Sequence, residues 1–348
     1  MANSDGSVEN RAKETASDWL ALTDEDVLEP DLPIIDPHHH LWDFKRSRYL
    51  LDEILADIGS GHNVRQTVFI ECTACWRPKG VGDEAMRPVG EIEFVNGIAA
   101  MSASGGYGDA RVAAGIVGFA DLGLGGAVED VLAAMDAAGG GRFRGVRHSI
   151  SFDEAAEVHN SHVGAPPDLY RSSAFQEGYR TLGAMGFSFE AWMYHPQMGE
   201  LAWLLETCPD TPTVLNHVGG PLGVGPYAGR RDAVFADWKA GIEAVAKAGN
   251  AYVKLGGLGM PINGFGFQGM ERPPSSQELA DAWRPYIDVC VEAFGPERCM
   301  FESNFPVDKV SGSYKTYWNA FKRLANGASD AEKAALFHDS AKDFYKLP

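Results

Sequence analysis

A chain of 348 residues, 45% of them hydrophobic and 22% charged, carries enough apolar surface to bury a large core and is not a disordered tail. Its formal net charge of −18 repels nucleic acid and anionic membrane surfaces at long range, so an anionic substrate needs a local basic pocket. No apolar run is long enough to span a bilayer, the first residues lack a cationic or apolar leader pattern, and the five cysteines are odd in number, from which a cytoplasmic protein with reduced thiols is expected.

Residues 1–30 are polar and acidic and read as an N-terminal arm with one short helix around Ala16–Leu22; residues 31–348 read as a single domain. From Pro33 onward, short β-branched runs alternate with helical stretches, the pattern of a parallel sheet. The expected strands are Pro33–His38, Gln66–Thr73, Arg111–Phe119, Phe143–Ile150, Phe187–Met193, Pro212–His217, Ala251–Leu255 and Cys299–Ser303. Helices are expected over Ile92–Ala103, Ala127–Ala138, Phe175–Met185, Asp232–Ala248 and Gln277–Phe294, several closed by a glycine such as Gly139 or Gly295. Eight such units close as a (β/α)8 TIM barrel or lie open as a doubly wound sheet. No G-x-G-x-x-G follows the first strand, which leaves the dinucleotide version of the open sheet unsupported and the barrel as the expected fold. The longest connections in this reading, Val218–Arg231 and Gly256–Ser276, follow the sixth and seventh strands and would shape a pocket at the carboxyl end.

Residues with chemistry gather at the expected strand ends. In Asp36-Pro37-His38-His39-His40-Leu41-Trp42, His38 and His40 are two apart, so on extended chain they share a face and can grip one ion or one substrate oxygen. His39 points the other way. His217 ends the sixth strand and His195 follows the fifth; a lone histidine at either place also fits a satisfied core residue. Arg147 and His148 are strand neighbours, so only one faces the mouth, and the guanidinium suits a carboxylate better. Lys254 is a charge inside an apolar strand and needs a carboxylate nearby. Glu302 and Asn304 share parity on the eighth strand, where Glu302 either neutralises Lys254 or Arg147 or supplies a proton-transfer carboxylate. Cys72 and Cys75 match C-x-x-C, but positions three apart on a strand face opposite sides, so plain thiols are expected rather than a redox or zinc pair.

These stretches resemble the second amidohydrolase family, and within it the lactonase-like group of metal-dependent barrel hydrolases. The similarity spans nearly the whole chain after the arm and is most specific at Asp36–Trp42, which looks like D-x-H-x-H-x-W, at Leu215–Pro221 and at Met300–Pro306. Members of the group include sugar-acid lactonases, sulfomuconolactone hydrolase and 2-pyrone-4,6-dicarboxylate hydrolase, with nonoxidative decarboxylases as more distant relatives. The resemblance implies that His38, His40 and His217 hold a divalent metal ion, Zn2+ or Mn2+, or, as in metal-free members, orient the substrate carbonyl directly. It also implies an aspartate as general base where this chain has Asn304. An amide cannot take a proton near neutral pH, so Glu302, Asp308 or a free histidine is expected to replace it.

The expected reaction is hydrolysis of a lactone or carboxylic ester of a small acid. Arg147 would anchor a substrate carboxylate, with Tyr49, Tyr194, His195 and Lys254 as helpers and Trp42, Tyr227, Phe265 and Phe267 as apolar walls. Decarboxylation of an aromatic or β-keto acid, and a barrel that binds a ligand without turnover, are the alternatives that Asn304 keeps open. The expected partner is a small carboxylate-bearing molecule, with no nucleic acid and no membrane, and a homodimer is the prior for the assembly.

Overall fold

The computed structural model describes residues 17–45 and 47–348. Its strands are Pro33–His39 (β1), the hairpin pair Trp42–Phe44 (β2) and Ser47–Tyr49 (β3), then Asn63–Ile70 (β4), Arg111–Gly118 (β5), Phe143–Arg147 (β6), Ser188–Ala191 (β7), Thr213–Leu215 (β8), Ala251–Leu255 (β9) and Cys299–Phe301 (β10). Eight of them pair in the order β1-β4-β5-β6-β7-β8-β9-β10, all parallel, each joined to the next by a crossover that contains a helix. The ring closes just past the end of β10: the Asn304 N–H donates to His38 O (3.0 Å), the His40 N–H donates to Phe305 O (2.8 Å), and His39 bridges Phe305 in parallel. This is a (β/α)8 barrel, as the alternating pattern predicts.

Local chemistry sets the element ends. Ser275 and Glu278 form a reciprocal capping box at the start of helix Ser276–Phe294, Ser172 accepts from the Phe175 N–H at the start of Ser173–Ala184, and Gly140 in a left-handed conformation (φ 55) closes Val128–Gly139. The arm carries a short helix, Ser17–Leu20, and then lies against helix Tyr314–Leu324, where Lys322 Nζ donates to Leu28 O (2.7 Å) and Glu29 O (2.9 Å). The earlier part of the arm, including the expected helix start at Ala16, lies outside the described residues.

The sequence reading needs two corrections. The longest connection is residues 148–172, after β6, not either of the two expected ones; polar and aperiodic, it carries no local signal beyond a single 3-10 turn at Leu169–Arg171. Helices Leu51–Ile58, Met198–Thr207 and Tyr314–Leu324 and the β2–β3 hairpin also go unread, although Tyr314–Leu324 has a clear helical period of buried apolar residues.

Inside the barrel Ile35, Val68, Val117, Val214 and Met300 pack on Phe344, Tyr345 and Leu347 of the C-terminal segment, which plugs the amino end. A larger core, with Ile92, Leu132, Trp238 and Trp283, fills the layer between strands and helices. Among the described residues no helix is long and apolar enough to cross a membrane.

Candidate active site

The parallel register between β1 and β4 shifts between Asp36 and His39, and beyond it the imidazoles gather. The His38 ring lies 5.0 Å from that of His40 and 4.4 Å from that of His217. His39 is turned away, its Nε2 2.8 Å from Thr67 Oγ1. His217 and Val218 both adopt left-handed backbone (φ 54 and 46), a conformation that costs a β-branched residue energy and so stores strain at this turn. Room for the ring comes from Gly257, where a Cβ would sit 2.5 Å from three atoms of His217; Gly256 likewise clears Glu302, whose Cγ would lie at 2.5 Å.

Glu302 is fully buried between the two histidines. Its Oε1 accepts from the His217 N–H (3.1 Å) and lies 2.6 Å from His217 Nδ1; its Oε2 is 2.8 Å from His38 Nδ1 yet receives no hydrogen bond. Burial pushes this carboxyl up to about 8, against the pull of Lys254. Burial also holds His38, His40 and His217 well below the usual imidazole range, with Arg147 adding to it at all three and Lys254 at His38 and His217, which favours neutral rings. His40 Nδ1 faces Ile70 O at 2.8 Å, which assigns the proton to Nδ1 and leaves Nε2 as a lone pair.

Ligating atoms of His38, His217 and Glu302 lie within 4.8 Å of one another. Two imidazoles and a carboxyl group whose buried Oε2 receives no hydrogen bond fit a divalent ion, whose charge would favour the ionised carboxylate that burial disfavours. The set differs from the expected trio, because Glu302 stands in it and His40 stands beside it.

Two buried ion pairs flank the cluster. Lys254 pairs with Glu190 (2.7 Å), not with Glu302, and also donates to Pro37 O (2.9 Å). Arg147 donates from Nε to Glu71 Oε1 (2.7 Å) and from Nη2 to Glu71 O (2.6 Å), and the second carboxylate oxygen, Oε2, is 2.9 Å from His162 Nε2. Burial alone would raise the Glu71 carboxyl, but His162 and Arg147 outweigh it and hold it below the ordinary range. Glu71, His162 and Glu190 are not among the residues the sequence pattern marks. A lone acid at the end of an apolar run was the available signal for Glu71; His162, in an aperiodic loop, offered none.

A cavity of about 720 Å³ opens at the carboxyl end of the strands. Of the expected site residues, Trp42, His40, Arg147, His217 and Asn304 line it, and His38 and Glu302 lie beneath its floor. The others face elsewhere. The Tyr49 hydroxyl donates to Asp57 (2.7 Å), that of Tyr194 to His159 O, and His195 Nδ1 accepts from the Leu222 N–H (3.3 Å). Lys254 is sealed in its ion pair, and Asp308 sits behind Asn304, accepting from its Nδ2 (2.7 Å) and from the Gly259 N–H (3.0 Å). Asp308 therefore orients the amide and does not reach the cavity as a base. His148 packs edge-on to Phe119 and Phe175, leaving the mouth to Arg147 as strand parity predicts. Phe265 and Phe267 stack on each other away from the cavity, and the Tyr227 hydroxyl donates to Asp153 (2.7 Å). The walls instead come from Trp42, Phe44, Trp76, Phe119 and Trp192. Cys72 and Cys75 are free thiols whose pKa burial raises, in keeping with unreactive side chains.

Residues 35–347 match the family model described as Amidohydrolase. An uncharacterized protein of Sinorhizobium fredii is 30% identical over 344 residues, covering 91% of this chain and 99% of its own length. L-fucono-1,5-lactonase of Burkholderia multivorans is 25% identical over 326 residues, 90% of this chain and 96% of the lactonase. Among solved structures, an amidohydrolase from Burkholderia multivorans with bound zinc superposes with a TM-score of 0.69 at 21% identity, covering 90% of this chain and 99% of that one.

Proposed function

The chain belongs to the amidohydrolase family, and on that premise we propose that it is a metal-assisted hydrolase of a lactone or carboxylic ester of a small, carboxylate-bearing acid. The observation that carries this reading is the convergence of His38, His217 and Glu302 beneath a cavity whose wall presents Arg147. The likeness to L-fucono-1,5-lactonase supports the choice of a lactone.

His38, His217 and Glu302 would hold the ion, Zn2+ or Mn2+, with His40 beside them, and a divalent cation there supplies Lewis-acid polarisation of a carbonyl and a lowered water pKa. Arg147 is fixed by two bonds to Glu71, its Nη1 also lies 3.5 Å from His38 Nε2, and as a residue of the cavity wall it would offer its free N–H groups to a substrate carboxylate. Trp42 stacks with Phe44 (5.7 Å, 22°) and Trp76 with Phe119 (5.4 Å, 24°), and these flat faces suit a ring substrate and keep water from its apolar side. Asn304, its Nδ2 committed to Asp308, keeps its amide oxygen as an acceptor able to hold a water but not to deprotonate it.

The test uses purified protein stripped by chelator and reloaded with Zn2+ or Mn2+, analysed for bound metal and assayed by proton release on sugar-acid lactones, aromatic-acid lactones and carboxylate-bearing aryl esters. Wild type should bind about one ion per chain and His38→Ala should lose it. Arg147→Lys should raise KM about tenfold, because an ammonium cannot reproduce the forked contact. Carbon dioxide release from an aromatic or β-keto acid, with no lactone or ester consumed, would replace this reading with the decarboxylase one.

A further inference from the structure

We propose that His162 is the general acid–base residue of this site; the inference rests on the hydrolase reading above. His162 lines the cavity from the long loop 148–172, on the same wall as Arg147. Its Nε2 lies 2.9 Å from Glu71 Oε2, while Glu71 Oε1 is taken by Arg147. An ionised carboxylate only accepts, so Nε2 carries the proton and Nδ1 is left as the lone pair. Nδ1 has no partner among the described residues, and the side chain is 29% exposed, open to the cavity rather than sealed in the core.

A buried carboxylate behind one imidazole nitrogen, with the other nitrogen facing substrate space, both fixes the tautomer and stabilises the imidazolium that forms during proton transfer. The competing groups on the wall are otherwise engaged. Glu84 accepts from the Gly80 N–H (2.6 Å) and pairs with Arg87 (3.5 Å), Asp121 caps a helical turn through the Gly123 N–H (2.9 Å), and His40, whose Nδ1 is tied to Ile70 O, keeps its Nε2 lone pair beside the His38–His217–Glu302 cluster, where an ion would compete for it. Charged or titratable groups from other elements face His162 as well: Glu71 after β4, and Arg147 and His148 from β6 and its end.

The loop is held so that this ring stays on the wall. The Ser161 N–H donates to Ser151 O (2.6 Å) and its hydroxyl to Ser149 O (3.1 Å), Tyr194 donates to His159 O, and Tyr227 donates to Asp153. Tyr194 and Tyr227, expected at the substrate, are positioning residues for this loop.

In the step itself, His162 Nδ1 takes a proton from water as the water oxygen bonds to the carbonyl carbon. The imidazolium then returns that proton to the ring or ester oxygen as the carbon–oxygen bond breaks. One water is added, and the histidine ends neutral.

Two measurements decide the matter. Nitrogen NMR of protein with labelled histidine rings, recorded at alkaline pH, should find His162 as the Nε2–H tautomer, with Glu71→Gln mixing the tautomers; an Nδ1–H tautomer in wild type overturns the proposal without reference to any substrate. On a lactone or ester that wild type hydrolyses, His162→Gln should lower kcat by roughly 100- to 10,000-fold. KM and bound metal should hardly change, the acidic limb of the pH–rate profile should vanish, and added imidazole should restore part of the rate. Retention of rate and limb by His162→Gln, with wild type active, sinks this assignment and leaves the hydrolase reading standing. Absence of any lactone or ester turnover by wild type removes both.

Discussion

At the amino end of the barrel, Ile35, Val68, Val117, Val214 and Met300 close on Phe344, Tyr345 and Leu347, whereas at the carboxyl end the same sheet delivers His38, Glu71, Arg147, His217 and Glu302. The first group needs only volume and apolar contact. The second is buried nearly as deeply, and each charge in it has a named partner at hydrogen-bonding distance. Between the two lies the Lys254–Glu190 pair, which Tyr345 of the plug joins through a hydroxyl bond to Glu190 Oε1 (2.5 Å). The difference teaches that close packing at one end lets the other hold polar groups that would not fold as a core by themselves.

The middle layer is where this division breaks most severely. Lys254→Met strands Glu190 as a buried carboxylate without its cation, and unfolding by urea should register a loss of about 3–5 kcal/mol. Adding Glu190→Gln to that variant should recover part of the loss, since the amide still meets Asn216 and Tyr345 without a charge to bury. Next in size is Phe344→Ala, which removes a ring packed 4.9 Å from those of Tyr252 and Tyr345. It should cost roughly 3 kcal/mol and leave KM unchanged. A shift in KM with Phe344→Ala would mean the two ends are coupled through Tyr345 and are not separable.

The sequence makes the strand-end histidines and Arg147 visible because each obeys a local rule: two-residue spacing, or opposite faces for neighbours on a strand. Glu302 is visible as a polar residue in an apolar run, but its partners come from the ends of β1 and β8, far away in sequence, so the local pattern leaves it open between neutralising Lys254 or Arg147 and proton transfer and does not show its place between His38 and His217. Glu190 stayed hidden for the same reason in reverse, its cation lying two strands away on β9. Whether a tyrosine hydroxyl turns to a pocket or to a loop carbonyl leaves no mark on the local pattern, which is why Tyr49 and Tyr194 were drawn toward the substrate. His162 stands on a loop with no period at all, and only folding brings it to Glu71.

The smallest of these effects concerns pH and separates the two ends without touching the chemistry. Glu91, buried at the start of helix Val89–Ala103, accepts from the Cys72 N–H (3.0 Å) and the Ala74 N–H (2.8 Å). Those bonds hold the turn that puts left-handed Thr73 (φ 64) on the cavity wall. Burial, and then the Glu71 carboxylate, push Glu91 from 4.5 up to about 8. The folded state therefore keeps a proton that the unfolded chain has already released, so the contribution is full below the unfolded pKa and is lost as pH rises through about 8. Glu91→Gln stays neutral and, because both amides bond the same oxygen, Oε1, keeps an acceptor for both. Its melting temperature should fall less than that of wild type between about pH 5 and pH 8, by a few degrees, while Phe344→Ala should follow the wild-type slope from a lower start. If Glu91→Gln and wild type descend in parallel across that range, the loss comes from another group, and the carboxyl end owes less of its stability to shared protons than its geometry implies.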